Sequence, residues 1–236
     1  MENKETIVMS VGGSLIVPDQ IDTNFLISLK KLITEETANH GRRFIIIAGG
    51  GRTARRYQDA AATVSELTAE DIDWLGLYAT RLNGQLLRTI FYDLAYRIMI
   101  TNPDEVMDVP KRERLIIAAG YRPGASTDLR AVQIATLTKA RKVINLSNTD
   151  YVYTADPNKD PQAEPIKEID WSSFRKLIPS DWDPGLSSPF DPVAAKEAEK
   201  RGIEVAAING KKMDSLRDYL NDIPFIGTRI KPNSEK

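Results

Sequence analysis

The chain has no cysteine and one histidine among its 236 residues. Without cysteine there is no disulfide, no thiolate nucleophile, no redox pair and no Cys-ligated zinc or iron–sulfur site. With one histidine there is no His-pair metal site, and any histidine relay must run through His40. That residue lies in an Asn-His-Gly-Arg-Arg stretch that reads as a helix end, where an imidazole belongs at a surface cap. Long hydrophobic runs are also missing. The longest purely apolar stretches, residues 44–48 and 115–119, are strand-sized and too short to span a bilayer. The first six residues, Met-Glu-Asn-Lys-Glu-Thr, lack the apolar core of a signal peptide. Nor does one sign of charge dominate. Lys and Arg number 32 against 33 Asp and Glu, a net charge of -1 that argues against broad binding to nucleic-acid polymers. The expectation is a cytoplasmic protein whose chemistry comes from carboxylates, lysine, arginine, hydroxyls and backbone amides.

What is present is strand–helix alternation. Residues 7–11 read as a strand leading into Gly12-Gly13-Ser14. Asp22 and Thr23 offer a cap to a helix that carries Phe25, Leu26, Leu29, Leu32 and Ile33 and stops at Gly41. Residues 44–48 form a second strand ending in Gly49-Gly50-Gly51, with a helix from Arg52. A long helical pattern covers residues 70–96, and strands follow near Ile98, Leu115 and Val143. Ser126 or Thr127 caps a helix between the last two. From residue 151 to 188 the texture is Pro-, Asp- and Ser-rich loop. Asp191-Pro192 starts another helix, residues 205–208 are a strand, 213–220 a short helix and 225–230 a final strand. These elements predict an α/β fold, a three-layer α/β/α sandwich with a mainly parallel central sheet. One domain is expected over residues 1–230, with a loose tail over 231–236.

Ligands of such sheets bind at the carboxyl ends of the strands. Four segments follow predicted strands there: residues 12–14, 49–55, 120–128 and 147–156. Gly49-Gly50-Gly51 leads into a helix whose first turns hold Arg52, Arg55 and Arg56. One reading is a tight turn before a solvated basic face. The other is a phosphate site, since glycines admit a close ligand and helix-start amides bind anions. Arginines there oppose the helix dipole unless an anion is present, which favours the second reading. No G-x-x-x-x-G-K-[ST] sequence occurs, so this is no P-loop. Asp71 and Asp73 lie inside a helical pattern rather than at a strand end, so no dinucleotide fold is indicated. Asp73, Gly76, Thr80 and Asn83 share one helix face, which looks either into a polar cleft or into solvent.

Taken in order, these segments resemble a known family. The stretches IVMSVGGS (7–14), AGGGRTAR (48–55), Asp73 to Leu77 with Thr80-Arg81-Leu82-Asn83, Pro123 to Asp128, VYTADP (152–157) and DPVAAK (191–196) are similar to the uridylate (UMP) kinases of the archaeal type, within the amino acid kinase superfamily. The resemblance covers nearly the whole chain. It implies ATP and UMP as substrates, Mg²⁺, and often a hexamer. By motif position it places Gly13, Ser14, Gly51 and Arg55 on the ATP phosphates and Ser147, Tyr153 and Asp156 on the adenosine end. Gly50, Asp73 and the loop of Tyr121, Arg122, Pro123, Gly124, Ala125, Ser126 and Thr127 fall on UMP. Asp128 matches an acid that organises the charged centre, Lys196 a lysine near the transferred phosphate, and Arg55 joins them. No protein side chain is assigned to the metal. Ser10 stands where the wider superfamily usually has lysine, Tyr151 and Ala119 where glycine is usual, and Tyr121 and Ala125 depart from common forms of the UMP loop. The same fold also serves kinases of other phosphates or small acids, and non-catalytic nucleotide sensors or storage proteins.

Overall fold

The structure, a computed structural model, describes residues 5–157, 159–181 and 188–233. Strands β1 (Thr6–Val11), β2 (Arg43–Ala48), β3 (Leu115–Ala118), β4 (Lys142–Ser147), β7 (Glu168–Asp170), β8 (Glu204–Asn209) and β9 (Thr228–Lys231) build one sheet. A separate hairpin pairs β5 (Val152–Tyr153) with β6 (Pro165–Ile166). The sheet order is β3-β2-β1-β4-β8-β9-β7, parallel throughout except where β9 runs antiparallel to β8. The chain moves outward from β1 through β2 to β3, then returns to the other side of β1 as β4. The crevice between the ends of β1 and β4 is therefore the switch point at which ligands of open α/β sheets bind.

Strand side chains alternate between two cores. Ile7, Met9, Val11, Phe44, Ile46, Ile144 and Leu146 face helices α1 (Gly13–Ile16), α2 (Thr23–His40) and α8 (Met213–Leu220), with Leu87 and Phe91 joining from α4 (Ala69–Ile90) and just beyond its end. Val8, Ile45, Ile47, Ile116, Val143 and Val205 face α5 (Thr127–Thr138), α6 (Trp171–Phe174) and α7 (Pro192–Arg201). Such strict two-sided burial makes the strands near-continuous apolar runs and gives the expected three layers. Trp171, fully buried in the second core, donates its Nε1–H to the Ile203 carbonyl at 2.8 Å. Helix α3 (Gly51–Val64) buries no residue and packs along α4.

Caps fall where the sequence placed them. Asp22 accepts from the Phe25 amide, Gly41 closes α2 at φ 62°, Ser126 accepts from Leu129 and Asp191 from Ala194. Several expectations shift, and the stretch 151–188, read as loop, also carries β5, β6, β7 and α6 (Trp171–Phe174). The long helix stops at Ile90 rather than near residue 96. The strand near Ile98 reduces to isolated bridges at Ala95 and Ile100, and the last strand begins at Thr228, not residue 225. Phe91 and Ala95 are buried beyond the helix end, so their apolar spacing prolongs a helical pattern that the backbone has left. Lys231, expected in the loose tail, closes β9, and the Asn233 side chain accepts from the Ser172 amide and donates to Glu199. Residues 234–236 lie outside the described residues. So do residues 182–187 of the predicted loop.

Candidate active site

The two glycine loops meet at the ends of β1 and β2. Gly12 donates to the Leu146 carbonyl at 2.8 Å and Gly49 to the Val11 carbonyl at 2.9 Å, which fastens both loops to neighbouring strands. Gly13 and Gly51 lie so close that a methyl group on either would overlap the other's backbone, and Gly51 has φ 62°. Asn83, buried in α4, donates to the carbonyls of Gly49 (2.8 Å) and Gly50 (3.0 Å) and pins the second loop from below. Thr80 accepts from the Gly120 amide at 2.9 Å, while Asp73 accepts from the Gly124 amide at 2.6 Å. The face of Asp73, Gly76, Thr80 and Asn83 therefore looks into the molecule, and the cleft reading holds over the solvent one.

These loops enclose a cleft of about 320 Å³ lined by Gly13, Ser14, Gly50, Gly51, Arg55, Asp73, Ala125, Ser126 and Thr127, among others. All nine were singled out from sequence. Arg55 reaches it from the first turns of α3, a helix with no acidic residue and no side-chain cap at its start. Of the other two arginines, Arg56 pairs with Asp19 at 2.6 Å and Arg52 does not line the cleft.

Two lining residues escaped sequence reasoning, Gln58 and Arg130. Arg130 is the more informative. Only 7% exposed, it donates to Gln133 at 2.8 Å and to the Arg122 carbonyl at 3.2 Å, lies 5.6 Å from the Tyr121 ring, and has a buried Nε without a partner among the described residues. Burial, then the neighbouring Arg122 charge, lowers its pKa. The available signal was an arginine one helical turn before Ile134, which is buried on the same side of α5.

Asp128 sits at the second position of α5, half-buried and outside the cleft lining. It accepts from the Ser10 hydroxyl at 2.9 Å and from the Asp191 amide, at the cap of α7, at 3.2 Å. Burial pushes its carboxyl up to about 6, against the lowering effect of those two hydrogen bonds. Ser10, in the position of the usual superfamily lysine, thus supplies a neutral donor to this acid. Asp191 is also raised, again chiefly by burial.

The remaining predicted residues lie elsewhere. Ser147 ends β4, 3.2 Å from the Thr149 hydroxyl, and Tyr153 lies in β5 with its ring 6.3 Å from Tyr151, edge to face. Tyr151 takes the turn without positive φ, so glycine is not needed there. Asp156 is 3.7 Å from the Lys159 amine. Neighbouring Asp150 is tied by Lys212 and by Asn209, the last residue of β8, at 2.7 and 2.8 Å, which hold its carboxyl below the usual range. Tyr121, Arg122, Pro123 and Gly124 form the rim beyond the cleft lining. Lys196 is exposed on α7 and does not line the cleft. His40 bonds Glu36 at the end of α2, at a cap as expected.

Among the described residues, no group of three or more His, Cys, Asp or Glu is arranged to hold a metal ion, and no helix is long and apolar enough to cross a membrane. The amino acid kinase family matches residues 5–209. Curated relatives include a uridylate kinase of Methanospirillum hungatei, 31% identical over 98% of this chain and 96% of that one. A uridylate kinase of Pyrococcus abyssi is 32% identical over 96% and 99%. The crystal structure of uridylate kinase from Archaeoglobus fulgidus superposes with a TM-score of 0.79 at 26% identity, covering 95% of this chain and 99% of that one. With a full-length match in sequence and fold, and a glycine-loop cleft over the carboxyl ends of β1, β2 and β3, the chain belongs to the amino acid kinase family.

Proposed function

We propose that the protein transfers the γ-phosphoryl group of ATP to UMP, giving ADP and UDP. The observation that carries this reading is the cleft itself, lined together by two interlocked glycine loops, Arg55, Asp73 and residues 125–127. Near-full-length similarity to named uridylate kinases supports it.

In this mechanism a phosphate oxygen of UMP attacks the γ-phosphorus in line. One P–O bond forms as the bond to the β-bridging oxygen breaks, ADP leaves with that electron pair, and no phosphoenzyme forms. Such transfer relies on positioning and charge stabilisation, so the lack of cysteine and of a catalytic histidine costs nothing. Loop amides of Gly13, Gly50 and Gly51 orient the phosphates, Arg55 neutralises charge, and Asp73 receives ribose hydroxyls after releasing the Gly124 amide. Ser147, Tyr153 and Asp156 hold the adenosine end. Asp128 orients the charged centre, and Lys196 neutralises charge near the transferred phosphate once ATP is bound. Mg²⁺ would be carried chiefly by phosphate oxygens and water, since no cluster of three or more His, Cys, Asp or Glu among the described residues would cage it. When bound, that ion neutralises phosphate charge. Exposed Tyr57, Val64, Tyr78 and Leu82 on α3 and α4 support self-association, which the family resemblance makes a hexamer.

The test is purified protein with ATP, Mg²⁺ and a panel of nucleoside monophosphates, scored for ADP. UMP should be the best acceptor. Turnover with another acceptor and none with UMP overturns the reading, and ATP binding without any turnover favours a sensor or storage protein. Within the same assay, Asp73→Ala should raise KM for UMP about tenfold or more with kcat little changed, whereas Lys196→Ala should lower kcat. An unchanged kcat in the second variant removes Lys196 from the transfer centre.

A further inference from the structure

Glycines at residues 49–51 leave the second loop free to present either face of its peptides. Close packing demands them. A β-carbon on Gly49 would overlap the Gly13 nitrogen, and one on Gly50 would crowd the Ala54 β-carbon. The same glycines tolerate both signs of φ, so a peptide between two of them turns over at little steric cost. Within a trans peptide, the carbonyl of one residue and the N–H of the next point in opposite directions. Turning such a peptide over therefore replaces a donor facing the cleft with an acceptor, and an acceptor there repels phosphate oxygens.

Asn83 decides which face is shown. From α4 it donates through Nδ2 to the Gly49 carbonyl at 2.8 Å and to the Gly50 carbonyl at 3.0 Å. Asn83 is buried and does not line the cleft, whereas Gly50 and Gly51 do. With both carbonyls drawn to the buried side, the amides of Gly50 and Gly51 are turned the other way, toward the cleft. Neither amide has an acceptor among the described residues, while the flanking amides are spent on backbone, Gly49 on Val11 and Arg52 on Val17. The Gly50 carbonyl also takes a longer bond from the Ala54 amide, at 3.4 Å, but the Gly49 carbonyl has no second donor among the described residues. We propose that Asn83 is a positioning residue that locks the two peptides of Gly49-Gly50-Gly51 with their N–H groups toward the cleft, and so makes this loop a phosphate cradle. The inference rests on the ATP half of the reading above and deepens it. A side chain that merely satisfied two buried carbonyls would matter equally to every ligand of the cleft. A lock matters only to ligands whose phosphates meet the loop.

The experiment measures dissociation constants for ATP with Mg²⁺ and for adenosine by calorimetry, in the full-length protein and in Asn83→Leu and Asn83→Asp, at pH 6. Melting temperatures are taken alongside. Leucine fills similar space and donates nothing. ATP should bind that variant about tenfold or more weakly, the worth of roughly one charge-assisted hydrogen bond, while adenosine, which has no phosphate, binds as before. Aspartate keeps the shape. A carboxyl buried against two carbonyls holds its proton at that pH and donates to one of them, so its loss of ATP affinity should be smaller. This variant decides the question if Asn83→Leu does not fold. Equal losses for ATP and adenosine, or an unchanged ATP affinity despite a lower melting temperature, overturn the proposal and leave Asn83 a purely structural role. So does a wild-type protein that binds ATP no tighter than adenosine. Neither measurement needs turnover, so a protein that binds ATP in this way but does not phosphorylate UMP overturns the UMP reading and leaves the lock standing.

Discussion

Asp128→Asn is expected to lower kcat roughly a hundredfold or more, the usual cost of losing one preorganised charge at a transfer centre, while making the protein more stable at neutral pH. Both effects come from one environment. Burial holds the Asp128 carboxyl at about 6, above its ordinary value of 3.8. The folded chain therefore keeps a proton that the unfolded chain releases. This stability is fully present below about pH 4 and is lost as pH rises through about 6, amounting to at most about 3 kcal/mol. Above that range the fold carries the cost of a buried charge. Asparagine removes the charge and keeps the contacts. Its oxygen accepts from the Asp191 amide, and its amino group donates to the Ser10 hydroxyl, which accepts as readily as it donates. At pH 7.5 the variant should gain about 1–3 kcal/mol, several degrees in a chain of this size, and the gain should vanish near pH 4. The wild-type acid limb of kcat/KM, expected near pH 6 for the free enzyme, should be absent in the variant. Thermal melts across pH and a pH–rate profile check all of this. Equal activity in the two proteins removes Asp128 from the centre, and a variant less stable at pH 7.5 means that the charge is compensated.

Why was so much of this site legible in the sequence, and why was Asp128's environment not? The four loops were found because parallel sheets leave their loops at one edge, and a glycine run before a misplaced arginine is a local signal. Local signals also found the caps at Asp22, Ser126 and Asp191. The stripe from Asp73 to Asn83 stood open between cleft and solvent, because a helix pattern gives the face but not its partner. Gly49, Gly50 and Gly120, all distant in sequence, are what decide it. Arg130 and the Ser10–Asp128 bond are likewise contacts across 8 to 118 positions, with no periodicity to announce them. Short elements failed for another reason. β5 and β6 are two residues each, and the alternation that marks a strand needs at least four. Lys196 is the reverse case: motif order assigned it a role, yet the side chain stands on an exposed face.

Gly13→Ala should be the most disruptive single substitution in the cleft, because it attacks the contact between the two glycine loops rather than a side chain. A β-carbon there overlaps the Gly51 backbone nitrogen, and one on Gly51 overlaps the Gly13 carbonyl. Neither loop has room to give way. Gly13 opens α1, whose backbone is tied through Gly12 to β4, and Gly51 opens α3, whose loop is pinned by Asn83 and by the Gly49–Val11 bond to β1. Overlap with backbone, unlike overlap with a flexible side chain, is relieved only by moving a strand end, so the loss should reach about 3–5 kcal/mol. The loop amides would also be displaced from the phosphates they orient. Even an ångström of misplacement matters for transfer, and kcat/KM for ATP should fall about a hundredfold or more in whatever folds. Gly202→Ala is the matched control. Gly202 has the same φ of 62° as Gly51, but an added β-carbon meets nothing within 4 Å, and it caps α7 outside the cleft lining. It should cost only the backbone strain of about 1 kcal/mol and leave the kinetics alone. Comparable melting temperatures and ATP kinetics in the two variants would mean that the loops part easily, and that the cleft is not the rigid phosphate cradle on which the mechanism depends.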